Sequence, residues 1–203
     1  MTVYGELARL GVATVYEAAG RTGLIDLALH RIVPGSRAAG PARPVLCGHG
    51  DNLMVHAIMA EARPGDVLVL TMRDPAPVAL LGDLLATQAL ARGVAGVLVD
   101  GAVRDADELA EMGLPVWARW IRVRGATKDL RGAIDEPVEV GRARIRAGDA
   151  VVLDGDGACV VAAERVDEVL EAALAREESE RVKRAKLRTG ALTFDLDGLR
   201  DRL

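Results

Sequence analysis

GDLLATQALARGVAGVLVDGAVRD, running from Gly82 to Asp105, decides how this chain is read. Leu84–Arg92 carries apolar residues at helical spacing, Asp83 stands where a helix cap belongs, and Gly93 is a stop signal. Val94–Val99 is an apolar run too short for a helix and reads as a buried strand. Asp100-Gly101 then reads as a turn into Val103-Arg104-Asp105, ahead of a short helix over Ala106–Met112 and a strand from Pro115 to Ala118. Upstream, Pro64-Gly65-Asp66 turns the chain into the strand Val67–Leu70. Strands alternating with helices in this way require parallel pairing, since each helix is the crossover between neighbouring strands. The fold class is α/β.

Outward from this centre, the spacing predicts a helix over Val3–Ala19, stopped by Gly20. Pro41 and Pro44 bracket a loop leading into Val45–Cys47, and Gly48, Gly50 and Asp51 make a turn before a helix over Asn52–Ala62. Past Trp120 the chain becomes rich in short β pieces: Val138–Val140, Ala143–Ile145, Ala150–Leu153 and Ala158–Ala162. Val166–Lys186 is one long, highly charged helix ended by Gly190. No linker divides the chain, so residues 1–203 are read as a single domain. Its last part, 166–203, is a helical arm, polar enough to be solvated or to pack between subunits.

Composition narrows the function. Hydrophobic residues make up 50% and charged residues 28%, enough for a core in a soluble globular chain. Aromatics are only 2%, so Ala, Val and Leu must fill that core and base-stacking surfaces are not expected. Twenty-six basic against thirty acidic side chains give a net charge of −4, which disfavours a broad nucleic-acid footprint. No apolar run approaches the ~20 residues of a membrane span. The first residues lack the basic and apolar regions of a signal peptide, and Cys47 and Cys159 form no CxxC pair. A cytoplasmic protein is expected, with both cysteines acting as small buried apolar residues.

Several chemistries lack their residues. The chain has no HExxH, no GxSxG and no GxxxxGK. His30, His49 and His56 have no metal-site spacing; His56 reads as structural, in a core helix, while His49 between two glycines is open to a ligand role. Lys128 is the only lysine outside the terminal helix, and nothing around it supports imine chemistry. The region that stands out is the opening quotation. Asp83 and Arg104 are separated by twenty residues, one helix and one strand. In parallel sheets, sites form where strands end and helices begin. Helix-start amides hold anions, Arg104 can clamp a carboxylate or a developing oxyanion, and Asp105 offers hard oxygen to a divalent cation. Such parts suit a metal-chelated α-keto acid. Spacing alone also fits Asp83 as a simple cap and Arg104-Asp105 as an ordinary turn pair.

The flanking segments carry a resemblance. GVATVYEAAGRTGLI, the turn Gly50-Asp51-Asn52, GDLLATQALARGVAG, DGAVRDADEL and PVWA occur here in order. Together they resemble the class II pyruvate aldolases that cleave 4-hydroxy-4-methyl-2-oxoglutarate and 4-carboxy-4-hydroxy-2-oxoadipate, whose superfamily includes the regulator of ribonuclease activity A. The resemblance runs from about Gly11 to the terminal helix. It implies a compact β/β/α sandwich of swivelling-domain type with a charged C-terminal helix, assembled as a trimer or hexamer. It implies that Asp105 binds Mg2+ or Mn2+, and that Arg104 contacts the pyruvyl part and stabilises its enolate. The amides of Gly82, Asp83, Leu84 and Leu85 would hold the substrate carboxylate, and Asp83 would order water or assist proton transfer. Glu17 and Glu180 resemble acidic residues brought to the site by a neighbouring subunit, though Glu177 and Glu178 lie close to Glu180 and a solvated role stays open for each.

The implied activity is retro-aldol cleavage of a 4-hydroxy-2-oxo acid to pyruvate and a second oxo acid, with oxaloacetate decarboxylation as a side activity. The alternative is a non-catalytic regulator binding a ribonuclease. In that branch the aspartate after the arginine is commonly lost, whereas Asp105 is present here.

Overall fold

The computed structural model describes residues 2–203. Its centre is a mixed sheet in the order β1 (His30–Arg31), β6 (Val116–Ile121), β5 (Gly96–Val103), β3 (Val67–Met72), β2 (Ala38–Cys47), β10 (Ala150–Asp154) and β11 (Gly157–Val161). Strands β2, β3, β5 and β6 pair in parallel, while β1, β10 and β11 are antiparallel additions at the two ends. The parallel centre and its crossover helices α4 (Asp83–Ala91) and α5 (Ala106–Met112) lie where the sequence pattern placed them. The charged C-terminal helix, α6 (Val166–Arg188), does too.

Each central strand serves two cores by alternation. Leu68 and Leu70 pack with Val97, Val99 and the buried faces of α3 (Leu53–Glu61) and α4; Val67, Val69 and Leu98 face the opposite side. There the hairpin β8 (Val138–Val140) with β9 (Ala143–Ile145) covers them through Val138, Val140 and Ile145. A third cluster joins α1 (Val3–Leu10), α2 (Val12–Ala18) and the start of α6 to Ala150, Val152 and Cys159. Burial of each Val or Leu contributes about 1.5–3 kcal/mol against exposure. The layering is that of a β/β/α sandwich.

Three expectations are corrected. The first helix is two helices, broken at Gly11, whose φ is +84°. The Asp154 carboxylate accepts the Val12 N–H at 2.9 Å there, and a Cβ on Gly11 would stand 2.6 Å from its Oδ2. The segment with Pro41 and Pro44 is no loop but the ten-residue strand β2. It changes partner midway, pairing with β10 over 38–41 and with β3 over 42–47. Pro44 is tolerated because its polar side faces away from β3: its carbonyl accepts Asp135 N at 2.8 Å, beside β7 (Ala133–Ile134). Finally, Asp100-Gly101 is not a turn, for β5 runs through to Val103. Buried Asp100 is paired with Arg119 at 3.1 Å, and the lack of a side chain at Gly101 leaves room for Leu80.

Candidate functional site

The extension of β5 is what builds the site. Beyond Asp100, where β3 stops pairing, β4 (Ala79–Leu81) takes its place beside Ala102 and Val103. Both strands end together, so Gly82, at the start of α4, lies against Arg104 and Asp105, at the start of α5. The Arg104 N–H bonds to the Leu81 carbonyl at 3.1 Å. Asp105 sits in the left-handed region, φ 56° and ψ 45°, an uncommon place for a residue with a side chain.

That geometry aims the Asp105 carboxylate at the neighbouring helix. Its Oδ2 accepts the Asp83 N–H at 3.1 Å and stands 3.4 Å from Arg104 Nε. Asp83 therefore is not the cap of α4. Gly82 holds the cap position, Asp83 is the first helical residue, and the cap is supplied from twenty-two residues away. Asp83 Oδ1 in turn accepts the Leu84 N–H at 2.7 Å. Two carboxylates thus already sit on the α4 N-terminus, as its partial positive charge favours. Of the four amides implicated, those of Asp83 and Leu84 are engaged, and a substrate carboxylate would meet Leu85 N–H and compete with Asp83 Oδ1 at Leu84. Gly82 is extended, so its want of a side chain answers space, not dihedral strain: a Cβ there would stand 2.5 Å from Asp105 Oδ2 and 3.1 Å from Arg104 Nε.

These groups line a cleft of about 140 Å3 whose wall includes Asn52, His56, Leu85, Ala126 and Lys128. The structure brings Gly82, Asp83, Leu84, Leu85 and Arg104 onto it, with Asp105 beside Gly82. Glu17 and Glu180 are not among its lining residues. They gather instead around Arg176, at 3.8 Å and 3.0 Å, on the helical side of the protein. Glu177 is tied to Arg9 and Glu178 to Arg181.

Three cleft residues were not singled out from the sequence for this place. Asn52 precedes α3, and its Nδ2 donates to the Leu80 carbonyl at 3.2 Å. His56, expected in a core, is exposed at the cleft edge one helical turn on. Partial burial and the nearby Lys128 ammonium push its imidazole below the ordinary value, against an opposing pull from Asp51. Lys128 arrives on the loop after β6, which Asp51 fastens. Burial alone would raise the Asp51 carboxyl, but the Thr127 hydroxyl and the amides of Leu53, Asp129 and Leu130 hold it at about 2. The Asn52–His56 spacing of four was the available signal; the loop's approach had none. His49 lies in a different depression, with Arg73 and Arg131.

A divalent metal fits this donor set in one manner. Among the described residues no three His, Cys, Asp or Glu side chains gather as a metal cage. Asp105 Oδ2 is hydrogen-bonded beside a side-chain-free Gly82, while among the described residues Oδ1 takes part in no hydrogen bond, which leaves one hard oxygen for a metal ion. Mg2+-type ions are commonly held by one or two carboxylates, with water and substrate completing the shell.

The N-terminus of α4, capped by Asp105, and the Arg104 guanidinium thus meet at parallel strand ends and form a candidate site for a small carboxylated ligand. The model of the RraA-like family (Aldolase/RraA) matches residues 12–160, and the chain belongs to that family. A protein of Halalkalibacterium halodurans, named "Putative 4-hydroxy-4-methyl-2-oxoglutarate aldolase", is 36% identical over 137 residues, 68% of this chain and 65% of that one. The match thus spans just under two thirds of that relative's length. An uncharacterised protein of Pseudomonas syringae pv. tomato superposes with TM-score 0.82 at 26% identity, covering 94% of each chain. Streptomyces coelicolor RraAS2, described as an unusual member of the RNase ES inhibitor RraA family, gives TM-score 0.80 at 28% identity over 91% of this chain and 97% of its own. Among the described residues no helix is long and apolar enough to cross a membrane.

Proposed function

We propose that this chain is a divalent-metal-dependent pyruvate aldolase, cleaving a 4-hydroxy-2-oxo acid such as 4-carboxy-4-hydroxy-2-oxoadipate or 4-hydroxy-4-methyl-2-oxoglutarate to pyruvate and a second oxo acid. The carrying observation is Asp105, with its free carboxylate oxygen, held beside Arg104 on the N-terminus of α4. The likeness to the Halalkalibacterium halodurans protein supports the aldolase branch.

Substrate enters with its C1 carboxylate toward the Leu84 and Leu85 amides, where backbone N–H groups and the helix dipole neutralise it. Asp105 would hold Mg2+ or Mn2+, which when bound supplies the electron sink at the C2 ketone. Arg104, half-exposed until substrate covers it, places its guanidinium where the enolate oxygen develops negative charge. Asp83 Oδ2, free of the helix contact made by Oδ1, orders the water that takes the C4 hydroxyl proton. The same enolate chemistry serves oxaloacetate decarboxylation, a side activity of the same groups.

Glu17 and Glu180 belong to a patch that a trimer or hexamer would set against a neighbour's cleft, with the 166–203 arm between copies. The rival reading, a non-catalytic regulator that binds a ribonuclease, draws on the likeness to RraAS2. Pyruvate release from the two hydroxy-oxo acids, coupled to lactate dehydrogenase, separates them. Turnover with Mg2+ that stops with EDTA supports the aldolase; no turnover of these or of oxaloacetate, with retention of a ribonuclease in a pull-down, supports the regulator.

A further inference from the structure

The segment from Arg119 to Arg131, at the end of β6 and beyond it, reads RWIRVRGATKDLR, with five basic residues and one acidic residue, Asp129. In a chain of net charge −4 this is a local reversal of sign. Its backbone is fastened to the rim of the cleft. Arg122 N–H donates to the Val103 carbonyl at 2.9 Å, the Arg124 carbonyl accepts Ala79 N–H at 2.7 Å, and Thr127 makes one backbone bond each to Gly50 and Asn52 at 3.0 Å. Between them Gly125 passes so close to Arg104 that a Cβ there would stand 3.2 Å from its Nη1. Arg122, Arg124 and Lys128 are exposed, and Lys128 stands on the cleft wall. Arg119 pairs with Asp100, but among the described residues no carboxylate pairs with Arg122, Arg124 or Lys128. The Lys128 ammonium is one of the causes that lower the His56 imidazole, so its field is felt at the cleft.

Unpaired cations held around a cleft raise the local concentration of anions and favour the more highly charged one. The two candidate substrates differ in this respect. The oxoadipate carries three carboxylates and the methyl-oxoglutarate two, and that difference of one charge is unaltered by a metal ion bound at the pyruvyl end. The additional carboxylate, at C6, is the one most remote from C1. With C1 on the α4 amides and C2 at Arg104, C6 is the group that extends furthest from them, toward the exposed wall where Lys128 stands. A lysine suits it, being a mobile point charge on a long stem. We infer that Lys128, with Arg122 and Arg124 adding to its field, receives the C6 carboxylate and makes 4-carboxy-4-hydroxy-2-oxoadipate the preferred substrate over 4-hydroxy-4-methyl-2-oxoglutarate. The inference rests on the proposed aldolase reading. Lys128 takes no part in bond breaking; it holds the fragment that leaves as oxaloacetate.

The test compares the two substrates in the unaltered protein, Lys128→Met, Lys128→Arg and the double variant Arg122→Gln/Arg124→Gln. Oxaloacetate from the tricarboxylate is read with malate dehydrogenase and pyruvate from the dicarboxylate with lactate dehydrogenase, as initial rates at fixed Mg2+. The ratio of the two kcat/KM values within one preparation does not depend on how much of it is folded or metal-loaded. In the unaltered protein the ratio should favour the tricarboxylate. Lys128→Met should lower it about fivefold, the upper end for a solvent-facing ion pair, by a fall on the tricarboxylate alone, whereas Lys128→Arg keeps it within about twofold. The double variant should lower it about twofold at about 0.02 M salt and not at about 0.3 M, where screening confines each charge to its immediate contacts. An unaltered protein that prefers the dicarboxylate would overturn the inference. So would an equal fall on both substrates in Lys128→Met, which would assign the ammonium to a carboxylate common to both or to a contact between copies of the chain. No product from either substrate in the unaltered protein would remove the aldolase reading itself, and this inference with it.

Discussion

Gly82→Ala puts one methyl group into the middle of the site and leaves the backbone unstrained, since φ −142° suits alanine. The new Cβ would lie 2.5 Å from Asp105 Oδ2 and 3.1 Å from Arg104 Nε. Non-bonded contacts of this kind need about 3 Å or more, so the carboxylate must retreat by roughly half an ångström. Its hydrogen bond to Asp83 N–H, already 3.1 Å, is then lost or badly bent. A net hydrogen bond contributes about 1 kcal/mol, which in a chain of this size lowers the melting temperature by about 2–4 °C. Activity should fall further, because a 1 Å misplacement can cost about 10²-fold and a shift of about half that about tenfold. Thermal unfolding and coupled pyruvate release on one preparation read the two effects together. We expect a kcat/KM reduced about 10- to 100-fold with a melting point within a few degrees of the unaltered protein. Activity kept within about twofold would refute the claim that Asp105 must stand where it does.

Other expectations follow from the same contacts. The Asp51 carboxyl lies at about 2, below its ordinary 3.8, so its hydrogen bonds contribute stability that is fully present above about pH 4 and is lost as pH falls through about 2. At about 1.4 kcal/mol per unit the contribution is ~2 kcal/mol. Asp51→Asn should therefore be less stable than the parent in urea at pH 6, with the gap closing toward pH 2; a gap unchanged with pH would contradict this. Cys47 and Cys159 are buried, their thiols pushed up to about 12 mainly by burial, so neither should react with a disulfide reagent at pH 8 until denaturant is added. Rapid labelling of the native protein would count against that packing. Asp83→Asn, which keeps size but removes the charge proposed to order the proton-accepting water, should lower kcat about 10²-fold or more, within the usual range for acid–base groups; full turnover would exclude the role.

The parallel centre was legible because its strands are continuous apolar runs flanked by helix stop and start signals, a pattern set by local physics. What escaped local reading depended on distant partners. Nothing near Gly11 announces that Asp154 will cap a second helix there. Pro41 and Pro44 argue against a strand until it is known that β2 changes neighbour between them. Asp83 has the spacing of a cap, but Asp105 arrives from the next strand end and takes the amide first. In the site, Arg104 and Asp105 were readable as a pair, since strand ends are where such residues act. Asn52, His56 and Lys128 were not, because their meeting depends on the Asp51 tether, a set of contacts between segments more than seventy residues apart.

The most direct test of the central claim is pyruvate release by Asp105→Ala beside the unaltered protein, on both hydroxy-oxo acids, with saturating Mg2+ and with EDTA. We expect metal-dependent turnover in the unaltered protein and a loss of about 10³-fold in the variant, the scale of a missing charge-stabilising ion worth several kcal/mol. A variant that stays folded and still releases pyruvate at the parent rate would contradict it.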